Sequence, residues 1–196
     1  MAYGERFEEA LVYAARIHRD QVRKATGIPY ITHLLAVAAL VGEHGGEDAV
    51  IAALLHDAIE DQGGPARLRD IRERFGPTVA RIVADCSDTD TSPKPPWRAR
   101  KEAYLRIAGD KPLDSQLVSL ADKVHNARAT LADLRTHGDV VWERFRGGRD
   151  GTLWYYHELL AIYRQTGVAP PLVAEFARVV AEIEQRDGAR EPGAGT

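Results

Sequence analysis

The sequence predicts an all-α protein. Two observations carry that prediction: apolar residues recur at three-and-four spacing in most segments, and no segment alternates apolar and polar residues long enough to make a strand. A third is punctuation by glycine and proline, which interrupts the periodic segments at intervals suited to helices. From Glu5 to Asp20 the residues Phe7, Ala10, Leu11, Ala14 and Ile17 share one helix face. Gly27 and Pro29 break the pattern. THLLAVAALVGEHGG resumes it, with Thr32 as the expected N-cap and His33 in the first turn. EDAVIAALLHDAIEDQGG reads as one further helix, apolar all round from Ala49 to Leu55 and therefore central.

An amphipathic helix follows from Pro65 to Phe75, closed by Gly76, and Pro77 starts the next through Val79, Ile82 and Val83. DTDTSPKPPW, residues 88–97, holds three prolines and is the clearest loop, placed to move over a site. Helices are expected over Trp97 to Ala108, Pro112 to Leu134, and roughly 149–165 and 170–186. Residues 1–187 are expected to form a single domain, followed by a disordered tail over 188–196. No internal repeat is present.

Composition narrows the function. The net charge is −3 and the pI is near 6.2, without the basic excess of a protein held by nucleic-acid phosphates, so a small ligand is favoured over a duplex. Cys86 is the only cysteine, which excludes an internal disulfide and a thiolate metal cluster and points to a reducing compartment. No apolar run approaches the ~20 residues that span a bilayer. The N-terminus, MAYGERFEEA, is charged where a signal peptide is apolar. The expectation is a cytoplasmic protein with no membrane or nucleic-acid partner, its oligomeric state left open.

The chemistry concentrates at HDAIED. His56 and Asp57 are adjacent, Glu60 lies four residues after His56, and Asp61 four after Asp57, so each i, i+4 pair stacks on one helix face. Burying one imidazole and three carboxylates at a helix end is costly without a cation. A divalent metal neutralises such a set, and mixed imidazole and carboxylate donors suit manganese, iron or zinc better than calcium. His33 in YITHLLAVA and Asp122 in LVSLADKVHNA are polar side chains in apolar surroundings and the best candidates to complete the shell. Glu60 and Asp61 also oppose the macrodipole at a helix C-terminus, which argues for a role other than helix stability.

A lone His, then His-Asp, then a distant Asp resembles the HD-domain metal-dependent phosphohydrolases. The wording RKATGIPYITHLLAVA, AALLHDAIED, FGPTVARIV and SLADKVHNAR resembles most closely the RelA/SpoT-type (p)ppGpp hydrolase domain and its small stand-alone versions, over roughly residues 5–135. The resemblance implies an HD-domain bundle of about eight to ten helices. It implies one metal, most commonly Mn2+, held by His33, His56, Asp57 and Asp122. It assigns Glu60 and Asp61 to activating the attacking water and handling its protons, and Arg23, Lys24 and Asn126 to the nucleotide. His125 would make a structural hydrogen bond.

Lys123 stands where those enzymes usually carry Arg, Ala129 where many carry Thr, and the Arg23 to His33 interval is one residue longer. Arg149 and Tyr155, beside a charged turn, are outlying candidates for the phosphate end. The implied reaction removes the 3′-pyrophosphate of (p)ppGpp to give GDP or GTP and pyrophosphate. The alternatives are an HD phosphohydrolase for another nucleotide phosphate, such as a nucleotide monophosphate or the 2′-phosphate of NADPH, and a catalytically idle nucleotide-binding sensor. The intact Glu60–Asp61 pair weighs against the last.

Overall fold

A computed structural model describes residues 3–23, 26–87 and 95–188. Those residues form nine α-helices and one 3-10 helix, with no β-strand among them. Lys24, most of the proline-rich loop and the tail expected at 188–196, apart from Gly188, lie outside the described residues. No helix among the described residues is long and apolar enough to cross a membrane.

The chain runs α1 (Glu5–Ile17), α2 (Ile31–Gly42), α3 (Glu47–Leu55), α4 (Ala58–Asp61), α5 (Gly64–Cys86), α6 (Trp97–Ala108) and α7 (Leu113–His137). A 3-10 helix (Gly138–Arg144), α8 (Gly148–Thr166) and α9 (Pro170–Gly188) complete it. The apolar run of α3 is central as expected: every residue from Ala49 to Leu55 is buried. α3 packs against α1, α2, α5 and α7, and α7 in turn packs against α2, α5, α8 and α9. Both helices have partners on several sides, so their apolar residues cannot be confined to one stripe. α5 carries the expected break, with Gly76 at φ 90° and Pro77 after it.

Three expectations are corrected. Thr32 does not cap α2: the helix starts at Ile31 after Tyr30, and the Thr32 hydroxyl donates to the Pro29 carbonyl at 2.8 Å. Tyr30 already has helical backbone angles, so the cap position passes before Thr32 is reached. HDAIED is not the end of one continuous helix. α3 stops at Leu55, His56 and Asp57 occupy a junction, and α4 resumes at Ala58, with Asp57 at φ −96° and ψ 0°. The segment 138–144, given no element by periodicity, is a 3-10 helix that begins at Gly138, whose φ of 67° ends α7.

Candidate metal centre and its cleft

The HD junction turns both side chains inward. His56 Nε2 lies 3.1 Å from Asp57 Oδ2, and His33 Nε2, brought by the first turn of α2, lies 3.6 Å from the same oxygen. Asp122, from the middle of α7, places Oδ1 3.3 Å from His33 Nε2 and 3.6 Å from His56 Nε2. Donors from positions 33, 56, 57 and 122 are thus drawn together by the helix packing: ligand atoms of His33, His56 and Asp57 lie within 4.8 Å of one another, and Asp122 Oδ1 approaches both imidazoles. Two ligands each about 2.1 Å from a metal, and about 90–110° apart, are separated by about 3.0–3.4 Å, close to the 3.1–3.6 Å seen.

The hydrogen bonds agree with a cation site. The Ala53 carbonyl can only accept, so His56 Nδ1, at 2.8 Å, donates to it. His56 Nε2 then faces the centre, buried and without a hydrogen-bond partner. His33 Nδ1 lies 2.8 Å from His125 Nδ1. For His33 Nε2 to offer a lone pair, the proton sits on Nδ1 and His125 accepts it, which fixes the tautomer. The Tyr30 hydroxyl donates to Asp57 Oδ2 at 2.5 Å. Asp122 accepts from Asn126 Nδ2 at 2.6 Å and pairs with the Lys123 amine. The donor set and its outer hydrogen bonds therefore fit a divalent metal.

Without a metal, imidazole and carboxylate balance one another's charge. Burial works against the charged form of His56, but Asp57 and Asp122 outweigh it and hold the imidazole well above its ordinary range. Burial likewise opposes charge on Asp57 and Asp122. His56 and His33 overcome it for Asp57, and Lys123 with the two imidazoles for Asp122, so both carboxyls sit well below the usual range. Burial, with His33 and Arg23 nearby, pushes His125 down to about 4, leaving it neutral and able to accept. Burial and Asp57 raise the Tyr30 hydroxyl far above its usual range and keep it a donor.

The centre forms the floor of a cleft of about 880 Å³. Glu60 and Asp61 line it, as do Arg23 and Asn126. Arg23 Nη2 donates to Asn126 Oδ1 at 2.9 Å, so these two candidate substrate residues are brought together from 103 positions apart. Only part of the expected burial of HDAIED holds: His56 is 3% exposed, whereas Asp61 is at the surface, where Gln21 Nε2 donates to its Oδ2 at 2.7 Å. Tyr155 lines the cleft. Arg149 does not line it and pairs with Asp150.

Sequence reasoning missed a cationic part of the lining, where Arg100, Lys101, Arg144 and Arg146 face the cleft from α6, the 3-10 helix and the turn after it. A Cβ on Gly147 would stand 2.6 Å from Trp97 Cη2, so glycine there lets the starts of α6 and α8 close together behind those cations. Tyr30 was missed as well. Its one signal is the interval of three residues to His33.

Comparison with known proteins places this arrangement in a family. Residues 10–153 match a family model described as HD domain. Human guanosine-3′,5′-bis(diphosphate) 3′-pyrophosphohydrolase MESH1 is 40% identical over 124 residues, 61% of this chain and 66% of that protein. The enzyme called guanosine-3′,5′-bis(diphosphate) 3′-pyrophosphohydrolase in Haemophilus influenzae is 41% identical over 125 residues, which is 60% of this chain but 17% of the relative. The chain thus spans under a fifth of the length of that relative. A solved structure described as a metazoan ortholog of SpoT that hydrolyzes ppGpp superposes with a TM-score of 0.76 at 28% identity, covering 95% of this chain and 98% of the other.

Proposed function

Because the chain belongs to the HD-domain family, we propose that it is a metal-dependent phosphohydrolase that removes the 3′-pyrophosphate of (p)ppGpp. The observation that carries this reading is the convergence of His33, His56, Asp57 and Asp122 at a cleft whose lining also carries Arg100, Lys101, Arg144 and Arg146. A purine nucleotide with two diphosphates is a polyanion, and a wall of arginine and lysine together with a divalent ion matches it in charge. MESH1 is named for this reaction on this substrate, and 66% of its length aligns.

His33, His56, Asp57 and Asp122 would hold the metal, taken as Mn2+. When bound, it supplies Lewis-acid polarisation of a phosphoryl oxygen and lowers the pKa of water. Glu60 and Asp61, on the rim beside the floor, orient the attacking water and take its proton, a contribution of roughly 100- to 10,000-fold. Asn126 joins the two halves of the site. Its Nδ2 is held by Asp122 and its Oδ1 by Arg23, so metal ligand and nucleotide contact are fixed relative to each other. Arg23 keeps the rest of its guanidinium fork for base or phosphate, and Lys24 adjoins it in sequence.

The test is product analysis. Metal-depleted protein restored with Mn2+ is incubated with ppGpp, and GDP and pyrophosphate are expected, both lost in His56→Ala and Asp122→Ala. Release of orthophosphate from other nucleotides, with ppGpp untouched, would move the substrate to another phosphomonoester. Tight ppGpp binding by metal-loaded protein without turnover would make it a sensor.

A further inference from the structure

Three side chains without any motif meet beside Asp61. Gln21 lies just past α1, and its backbone is fixed on both sides: its N–H donates to the His18 carbonyl at 3.1 Å, and its carbonyl accepts from the Tyr30 N–H at 2.9 Å. Its Oε1 lies 2.6 Å from His18 Nδ1 and accepts from Gln62 Nε2 at 2.6 Å. Its Nε2 donates to Asp61 Oδ2 at 2.7 Å. A flipped amide would set one NH2 against another at Gln62 and an oxygen against the Asp61 carboxylate, so only one orientation satisfies all three neighbours. His18 is 2% exposed, which keeps that donor ring in place.

We propose that Gln21, oriented by His18 and Gln62, is a positioning residue for Asp61: it ties down one carboxylate oxygen so that the other is presented to the reacting water. The proposal rests on the reading of Asp61 as a participant in hydrolysis. Asp61 ends a helix of four residues and is exposed, so packing does little to hold its rotamer. The bond from Gln21 reaches it across 40 residues. An amide is suited to this task because it orients a carboxylate without neutralising it, whereas an arginine or lysine would lower its basicity. Misplacing a reacting group by about 1 Å can cost on the order of 100-fold, so a single orienting bond is a sizeable lever.

The decisive variant is Gln21→Glu. It keeps an acceptor for His18 and Gln62 and replaces only the donor to Asp61, by a like charge. With Mn2+ and ppGpp, kcat is expected to fall between about 10- and 100-fold, with KM, Mn2+ stoichiometry and melting temperature close to wild type. Gln21→Met, of similar length but with neither polar atom, should repeat the kcat loss. In an Asp61→Asn background Gln21→Glu should cost nothing further, because Gln21 acts through Asp61. Wild-type kcat in Gln21→Glu, or an undiminished extra loss in the Asp61→Asn background, overturns the proposal and leaves Gln21 as a tie between α1 and α4. Full turnover by Asp61→Asn overturns the reading beneath it. Independently of substrate, the Gln21 side-chain amide protons should shift by NMR in Asp61→Asn, and unchanged resonances would remove the bond itself.

Discussion

The two ends of the cleft hold charge in opposite ways. At the floor, His33 and His56 are 1% and 3% exposed, and with Asp57 and Asp122 they sit on core helices or the junction between them. Each has a second bond that fixes it: His56 to Ala53, His33 to His125, Asp57 to Tyr30, Asp122 to Asn126. The cations of the wall come from α6, the 3-10 helix and the turn after it; Arg144 and Arg146 are exposed, whereas Arg100 is buried. On the proposed function, the difference follows from what each end would hold. A metal tolerates only about 0.2 Å of error in its ligands, whereas a polyanion is felt over a Debye length of about 8 Å at physiological salt. Substitutions at the floor should therefore act steeply and independently of salt, and those on the wall gradually and with salt.

The largest effect is expected from Asp57→Asn, which keeps shape and an acceptor for Tyr30 but removes one anionic ligand. If the metal contributes several kcal/mol, its loss lowers turnover by about 1,000-fold or more. Calorimetric Mn2+ titration should show the affinity falling in parallel, and unchanged affinity would take Asp57 out of the floor. Next is His125→Phe, which leaves His33 Nδ1 without its acceptor and should weaken Mn2+ binding by about 10- to 100-fold. His125→Asn, whose side-chain oxygen can accept from His33, should recover most of that. Equal losses in the two variants would mean that His125 only fills space.

How much of this was legible in the sequence follows the same division. The floor was legible because polar residues in apolar runs, such as Asp122 in LVSLADKV, stand out against the helical period, and His56-Asp57 adds adjacency. What periodicity could not supply was the break that aims them: His56 and Asp57 both keep near-helical angles, so the junction leaves no glycine or proline to mark it. Tyr30 was equally invisible, being an ordinary aromatic next to a helix. The wall was illegible for another reason. Arg144 and Arg146 belong to a 3-10 helix and turn with no three-and-four pattern, and they reach the cleft beside the close packing of Trp97 on Gly147, 50 residues away in sequence. Gln21 and His18 follow the regular part of α1 and carry no motif, so only tertiary contact with α4 reveals them.

Arg146→Ala sharpens the comparison from the wall side. A charged hydrogen bond is worth about 1.5–3 kcal/mol, so KM for ppGpp should rise about 10- to 100-fold, with Mn2+ affinity unchanged. The penalty should shrink when salt is raised. A fall in Mn2+ affinity would show that the two ends are not separate.

The smallest effect belongs to His18, which lies behind Gln21 and stacks on the Tyr30 ring. The ring is buried, donates from Nδ1 to Gln21 Oε1, and has a buried Nε2 without a hydrogen-bond partner. Burial lowers its pKa below the ordinary 6.5, against the weaker pull of Gln21 and Asp57. Just below pH 6.5 the unfolded chain therefore takes up a proton that the folded protein refuses. The His18 contribution is constant above that pH and is lost as the pH falls from 6.5 toward the lowered value. One proton sets a ceiling of about 1.4 kcal/mol per pH unit. Urea unfolding of metal-free wild type and His18→Asn at pH 7.5 and 5.5 isolates this slope, since Asn keeps a donor for Gln21 but does not titrate. The wild type should lose more stability between the two pH values than the variant. Equal losses would mean that the folded protein accepts the charged ring, and with it a partner for Nε2.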